Sequence, residues 1–266
     1  MKTFFTKDSY DTPEDTHRYW GDSISFHSRW SFYIPFIKII LASRKLAVQG
    51  LYDDEKWMES CLNVFKLIEK CGGRFHIKGI DNLKKSAGQP VVVVSNHMST
   101  LETAIFPCII NPFLPVTYVV KESLVKQRVF GPIMRSRDPI VVGRKNPKED
   151  LIKVLTDGQE TLRNGRSLVI FPQSTRSVEF MPERFNSLGV KLARRAGVKA
   201  IPTAIKTDFW GNSKISFMKD LGPISRDKPI HMTFGEPMEI EGTGKEQHQQ
   251  ITNFIISQLK EWNAPK

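Results

Sequence analysis

The sequence predicts an α/β fold with a mixed, largely parallel sheet flanked by helices, together with an N-terminal helical, membrane-associating region. Beyond residue 73, short runs of β-branched and aromatic residues alternate with segments of helical periodicity. This alternation is typical of sheets whose strands run mostly parallel and whose faces are covered by helices. The chain has 266 residues, 40% of them hydrophobic, which suits one α/β domain with a sizeable core and an added helical element.

Residues 1–72 form the predicted helical region, and the α/β domain is predicted over 73–266. The most apolar early stretch runs from Trp30 to Ala42, with apolar residues at helical spacing and basic residues on both sides. At thirteen residues it is too short to cross a bilayer comfortably, so we expect a helix that lies in the headgroup layer. The alternative is a helix packed on the core. A second helix is predicted over 53–70, where it ends before two glycines.

Seven strands and four further helices are predicted after residue 73. The strands follow short apolar runs bounded by turn residues, at 74–80, 91–95, 116–121, 139–143, 167–171, 199–205 and 231–235. The helices are predicted near 100–110, 147–163, 187–196 and 245–262. Two helix ends carry specific signals, because Asn146 and Pro147 suit the start of one helix and Gly197 suits the end of another.

The chain is basic, with 39 lysines and arginines against 28 acidic residues and a formal net charge of +11. Such an excess favours anionic partners, such as phosphate groups or an acidic membrane surface. No nucleic-acid-binding motif and no basic tail accompanies it, so we do not expect nucleic acid as a partner. The three cysteines, Cys61, Cys71 and Cys108, form no CxxC pair, which indicates a reducing compartment and predicts no metal site.

The first site signal is a histidine placed where a buried strand ends. His97 follows the predicted strand at 91–95, and Glu102 falls in the first turn of the next predicted helix. A carboxylate at that place can accept a hydrogen bond from one imidazole nitrogen and leave the other nitrogen free to take a proton. The alternative is structural, because residues 99–102 also form a capping box, in which the glutamate returns a bond to the cap's backbone N–H.

Two further predicted strands end in polar clusters. The stretch 167–177 places Gln173, Ser174, Thr175 and Arg176 after one strand, and the stretch 131–144 places Arg135, Arg137 and Arg144 around another. Open α/β sheets bind ligands outside the carboxyl ends of their strands. Arginine forks bind phosphate in a bidentate fashion, so these clusters favour an anionic ligand at that edge of the sheet.

These stretches resemble the glycerolipid acyltransferases of the lysophosphatidic acid (1-acylglycerol-3-phosphate) acyltransferase type. The first motif of that family is a histidine, four residues and an acid, as in NHMSTLE at 96–102. The second is a glycine-containing segment that ends in a strand and an arginine, as in FGPIMRSRDPIVVGR at 130–144. The third, usually FPEGTRS, appears as FPQSTRS at 171–177, and the fourth, an Ile/Val-Pro pair, appears around Pro202. All four occur in order over about residues 75–210.

The chain departs from the family pattern at three positions. Glu102 stands where the family usually has aspartate, which keeps the charge and adds a methylene. Gln173 and Ser174 replace the usual glutamate and glycine of the third motif, and the first change removes a negative charge beside the expected phosphate site. These departures bear on the identity of the acceptor more than on the type of reaction.

The resemblance implies transfer of a fatty acyl group from acyl-CoA or acyl carrier protein to the hydroxyl of a lysophospholipid. The expected acceptor is 1-acylglycerol-3-phosphate, which would give phosphatidic acid, and no cofactor is implied. His97 would take the hydroxyl proton, with Glu102 as its partner. The acceptor's phosphate would be held by Arg144, Arg176, Gln173, Ser174 and Thr175, with Lys121, Arg135 and Arg137 as weaker candidates.

Because a lipid acceptor rarely leaves its bilayer, we expect the protein at the cytoplasmic face of a membrane, as a peripheral or monotopic protein. Two alternatives remain at this point. One is a related acyltransferase with another acceptor, such as glycerol 3-phosphate or a lyso-aminolipid. The other is a non-catalytic relative that binds membrane lipid through its basic surface and the 30–42 helix.

Overall fold

The computed structural model describes residues 4–24, 28–213 and 220–264. Its strands are β1 (Tyr10–Asp11), β2 (Phe75–Lys78), β3 (Val92–Ser95), β4 (Val116–Lys121), β5 (Ile140–Val142), β6 (Ser167–Ile170), β7 (Ala200–Lys206) and β8 (Ile230–Phe234). Its helices are α1 (Trp20–Ile24), α2 (Arg29–Val48), α3 (Asp54–Lys70), α4 (Ile80–Lys84), α5 (Leu101–Ile110), α6 (Glu122–Val125), α7 (Phe130–Arg135), α8 (Pro147–Arg163), α9 (Leu188–Ala196) and α10 (Lys245–Asn263), and a 3-10 turn covers Pro182–Arg184. The seven predicted strands are confirmed as β2 to β8, each within two residues of its predicted bounds.

The strands within the described residues form one sheet in the order β1-β2-β8-β7-β3-β6-β4-β5. Strands β7, β3, β6, β4 and β5 run parallel to one another, and β2 runs parallel to β8, whereas β8 is antiparallel to β7 and β1 is antiparallel to β2. The predicted mixed, largely parallel sheet is therefore confirmed. All four residues of β3 are buried, as expected for a central strand that is covered on both faces.

Helices cover both faces of the sheet and form two hydrophobic clusters. Helices α2, α3 and α5 pack over one face, and α8, α9 and α10 pack over the other. Helix α9 lies close against β3 because it has a glycine at the point of contact. A Cβ built on Gly189 would lie 2.6 Å from Cγ2 of Val94, which no side chain tolerates. This close approach places the amino-terminal end of α9 beside the carboxyl end of β3.

Helix α2 has one buried and one exposed apolar face. Its inner side chains, Phe32, Tyr33 and Phe36, surround the fully buried ring of Trp210. Its outer face leaves Trp30, Ile34, Ile37 and Leu41 between 39% and 55% exposed. The helix therefore packs on the core, as the alternative interpretation of this segment expected, and it also leaves an apolar stripe exposed.

The core continues across the predicted division at residue 72. The rings of Phe65 and Phe75 stack with centroids 4.0 Å apart, and β1 of the N-terminal region pairs with β2. Strand β1 was not predicted, because two residues carry no periodicity. Within the residues that the structure describes, none of the helices combines the length and the apolar character that crossing a bilayer requires.

Candidate active site

A cavity of about 570 Å³ opens beside His97 at the carboxyl ends of the central strands, between α8 and α9. Its buried lining is apolar and comes from Val142, Val154 and Ile170. Its exposed lining includes the polar and basic residues Arg144, Ser174, Thr175 and Lys191. A cavity with apolar walls and a cationic opening fits an amphiphile that has an anionic head group.

After the end of β3, the side chain of Asn96 makes the hydrogen bonds to β7 that a backbone would make in a sheet. The Asn96 amide donates to the carbonyl of Ile205 and accepts from its N–H, both at 2.9 Å, so β3 stays joined to β7 as the chain turns away. The next residue, His97, donates its backbone N–H to Oε1 of Gln173 at 2.9 Å. Its ring stacks on Phe171, with centroids 4.2 Å apart. The imidazole is therefore held from both its backbone and one ring face.

The imidazole and the predicted carboxylate are in contact. Nδ1 of His97 lies 2.8 Å from Oε1 of Glu102, whose side chain is fully buried. The same oxygen accepts the backbone N–H groups of Met98 and Ser99, at 2.7 and 2.8 Å. The bond from Ser99 is the one that a capping box would make, while Ser99 Oγ accepts from Leu101, so Glu102 contacts both the helix start and the imidazole. An ionised carboxylate only accepts, so Nδ1 carries the proton and Nε2 is the nitrogen left to act as a base.

Burial alone would raise the pKa of Glu102, but its hydrogen bonds reverse the effect. The bonds from His97, Thr207 and Ser99, with the attraction of the imidazole, hold the pKa of this carboxyl below its ordinary value. Glu102 is therefore ionised at neutral pH although no part of it is exposed. The stabilisation that the ionised group gives is present above the pKa of the unfolded chain and is lost as the pH falls through the folded value.

Three of the predicted phosphate ligands line the cavity. Arg144 follows β5 with φ +56°, and its backbone N–H donates to the carboxylate of Asp150 at 2.8 Å. Its side chain is exposed at the cavity. Ser174, at φ +60°, and Thr175 line the cavity beside His97.

Arg176 has a different environment and does not line that cavity. Its Nη1 lies 2.6 Å from Oδ1 of Asp220 and also contacts Oγ1 of Thr100, at the start of α5. The structure therefore does not bring Arg144 and Arg176 together in one cavity.

Arg137, Arg135 and Gln173 lie outside the lining of this cavity. Arg137 is 7% exposed, pairs with Asp54 at 2.7 Å and lies over two aromatic rings, so it joins α3 to the sheet and cannot reach a ligand. Arg135 donates to the carbonyl of Val125 within the α6–α7 turn. Gln173 is 8% exposed, and its Oε1 accepts the backbone N–H of His97.

Two further placements matter for the site. Lys121 is exposed at the end of β4, outside the cavity lining. Thr207 and Lys191 belong to the site but were missed. Lys191 reads in the sequence as a solvated helix residue, and Thr207 is 105 residues from Glu102, with no local pattern to pair them. Across the described ranges, no group of three or more His, Cys, Asp and Glu side chains is arranged to hold a metal ion.

Comparison with known proteins identifies the family. Residues 74–206, half of the chain, match the Acyltransferase family. The chain is 28% identical over 215 residues to the 1-acyl-sn-glycerol-3-phosphate acyltransferase of Pseudomonas aeruginosa, which covers 80% of this chain and 75% of the relative. It is 22% identical over 206 residues to the 1-acyl-sn-glycerol-3-phosphate acyltransferase of Borreliella burgdorferi, with 76% of each chain covered.

The fold is also that of a solved structure. The crystal structure of the 1-acyl-sn-glycerophosphate (LPA) acyltransferase PlsC from Thermotoga maritima superposes with a TM-score of 0.65 at 18% identity, covering 92% of this chain and 99% of that chain. The segment matched by the family includes the His97–Glu102 pair, the cavity residues of α8 and α9, and strand β7. This protein is an enzyme of the Acyltransferase family.

Proposed function

We propose that the enzyme transfers a fatty acyl group from a thioester donor, acyl-CoA or acyl carrier protein, to the free hydroxyl of 1-acylglycerol-3-phosphate, giving phosphatidic acid. The observation that carries the proposal is the 2.8 Å contact between His97 Nδ1 and a buried, ionised Glu102, at the edge of an apolar cavity with a basic opening. The names of the relatives support the acceptor.

The mechanism follows from the tautomer of the histidine. Nε2 of His97 takes the proton of the acceptor hydroxyl as its oxygen attacks the thioester carbonyl, and Glu102 stabilises the imidazolium that forms. The tetrahedral intermediate then expels the thiolate, which takes the proton back from the imidazolium. A thiolate leaves readily, so no acyl-enzyme intermediate is required. The chain contains no GxSxG motif, which is consistent with direct transfer.

A lysolipid panel assayed with both donors tests this proposal. Purified enzyme is given 1-acylglycerol-3-phosphate, glycerol 3-phosphate, a lyso-aminolipid or a monoacylglycerol, and free thiol release and the acylated product are measured. We expect 1-acylglycerol-3-phosphate to be consumed with the highest kcat/KM. Higher turnover of another acceptor would replace the proposed substrate, and thiol release with none of them would contradict the reaction.

Arg176→Ala is expected to raise the KM for 1-acylglycerol-3-phosphate by roughly ten-fold and to change kcat little, since it removes a charge-assisted bond to the phosphate. In the structure this guanidinium is held by Asp220, and an arriving phosphate competes for it. A monoacylglycerol acceptor, which has no phosphate, is the control and should give the same KM with both enzymes. An unchanged KM for the phosphorylated acceptor would place the phosphate elsewhere.

We further propose that the exposed face of α2 holds the protein on a membrane surface. The stripe of Trp30, Ile34, Ile37 and Leu41 runs along this helix, and Arg29 and Lys38 lie beside it. A helix with this composition suits the boundary between acyl chains and phosphate head groups. The opposite face carries core aromatics, so deletion of the helix would remove part of the core together with the stripe.

A single substitution tests the membrane surface without touching the core. Ile34 and Ile152 are both 55% exposed and lie on different helices, so they form a matched pair. Ile34→Asp is expected to weaken binding to anionic phospholipid vesicles by about ten-fold or more, because it places a charge in the apolar layer. Ile152→Asp should bind as the wild type does. Equal binding by both variants in vesicle co-sedimentation would remove α2 from the membrane surface.

A further inference from the structure

We propose that Thr207 is a positioning residue for the His97–Glu102 pair, and that its hydroxyl is matched to the glutamate that this chain has at position 102. The inference rests on the proposed function, because Thr207 contacts Glu102, and Glu102 in turn holds the imidazole that is the proposed base. Thr207 follows β7 directly, is fully buried, and places Oγ1 at 2.7 Å from Oε2 of the carboxylate.

The two carboxylate oxygens of Glu102 have separate partners. Oε1 accepts from the imidazole of His97 and from two backbone N–H groups at the start of α5. Oε2 accepts from two hydroxyls, those of Thr207 and Ser99, at 2.7 and 2.9 Å. Together, these contacts fix the rotation of the carboxylate about its terminal bond. The oxygen that faces the imidazole stays in place because the other oxygen is anchored to β7.

The hydroxyls of Ser99 and Thr207 each have one proton to donate. Ser99 Oγ also lies 3.0 Å from Thr207 Oγ1 and accepts the backbone N–H of Leu101. Two hydroxyls hold two protons, and Oε2 has no other donor among the described residues. The Thr207 hydroxyl donates to Oε2, and the single proton of Ser99 has two acceptors in reach, Oε2 and Thr207 Oγ1. Removal of the Thr207 hydroxyl leaves one donor where there were two.

The length of the glutamate makes this contact possible. An aspartate is shorter by one methylene, roughly 1.5 Å along the side chain. With α5 held against the core, an aspartate at position 102 could not contact His97 and Thr207 together without a shift of the backbone. Glu102 makes both contacts at ordinary hydrogen-bond distances. The Thr207 anchor therefore accompanies the longer acid that departs from the usual family motif.

Thr207→Val tests the inference, because it replaces the hydroxyl with a methyl group of nearly the same volume. We expect kcat to fall by about ten-fold with KM unchanged, since one bond to a buried charge is lost. Because the charged form of Glu102 loses a donor, the His97–Glu102 pair should hold its proton more tightly, and the acid limb of the kcat profile should move to higher pH. Thr207→Ser keeps the hydroxyl and should restore both kcat and the pH profile. Thr207→Ala serves in the same way should the valine variant not fold.

Thr203→Val is the matched control on the same strand. Its hydroxyl is buried and has no partner among the described residues, so this variant should keep the kcat and pH profile of the wild type. A Thr207→Val enzyme whose kcat and acid limb match those of the control would overturn the inference, and so would Thr207→Ser behaving like Thr207→Val.

A double-mutant cycle tests the match with Glu102. Thr207→Val is expected to cost about ten-fold in the wild type and less than three-fold in the Glu102→Asp background, because the shorter acid has already lost the contact. Equal losses in both backgrounds would refute the match. His97→Ala, assayed in parallel, distinguishes failure of the proposed function from failure of the role proposed for Thr207. If His97→Ala retains activity, the proposed function fails; if it is inactive while Thr207→Val is normal, only this inference fails.

Discussion

His97→Ala is expected to lower kcat by about 10²- to 10⁴-fold while the protein stays folded, the usual effect of removing a positioned general base. His97 lines the cavity and its side chain is 17% exposed, so truncation leaves little unfilled core volume. The measurement is kcat from thiol release with 1-acylglycerol-3-phosphate, together with the thermal midpoint of unfolding. KM should change much less than kcat, because the imidazole acts mainly in the transition state.

The chain offers a matched control for this experiment. His76 also pairs through Nδ1 with a carboxylate, that of Asp11 at 2.7 Å, but this pair lies at the β1 edge of the sheet. His76→Ala should therefore keep the wild-type kcat. If His97→Ala retains near-normal acyl transfer, or if both variants lose activity to the same extent, the assignment of His97 as the base is wrong.

Trp210→Ala is expected to lower the free energy of unfolding by about 3–5 kcal/mol, the usual cost of truncating a buried tryptophan. Its ring is fully buried and meets Phe32 and Phe36 of α2 with centroids 4.8 and 5.0 Å apart. Its indole N–H donates to the carbonyl of Asp220 at 2.9 Å. Urea unfolding followed by far-ultraviolet circular dichroism measures the change.

Trp20→Ala is the control for this loss, because Trp20 is 76% exposed and buries little area. Its effect should stay within about 0.5 kcal/mol. Trp210→Phe keeps an aromatic ring in the cluster but loses the bond to Asp220 and part of the buried volume, so its loss should lie between those of the two alanine variants. Equal stabilities for Trp210→Ala and Trp20→Ala would mean that α2 is not held by this aromatic cluster.

The strands and long helices could be predicted because each carries a repeated local signal. The four consecutive valines before Ser95 favour a strand that is covered on both faces, and β3 lies there. Two helix ends were predicted from specific residues, because Asn146 caps the start of α8 and Gly197 follows the last turn of α9. The short helices α1, α4, α6 and α7 have too few residues to establish a period, and they were missed.

In the site too, contacts between residues close in the sequence could be predicted, whereas contacts between distant residues could not. The pairing of His97 with Glu102 depends on five residues of chain and could be predicted from spacing. The burial of Arg137 depends on Asp54, 83 residues away, so the sequence alone made it a candidate ligand when it is a structural ion pair. The hold of Asp220 on Arg176 spans 44 residues and has no sequence signal. Contacts of this kind are set by the topology of the sheet.

The turn after β6 contains a strained residue, Ser174, at a position where the family usually has glycine. Ser174 stands where the family usually has glycine, and its φ of +60° is one that an L residue adopts at a conformational cost of roughly 1–2 kcal/mol. Unlike glycine, serine adds a hydroxyl to the lining of the cavity at this position. Ser174→Gly would therefore relax the backbone and remove a hydrogen-bonding group from the opening. At this position glycine would give the less strained backbone, whereas serine offers a hydrogen-bonding group to a polar ligand. The chain has the serine, so the strained turn lies beside the proposed substrate.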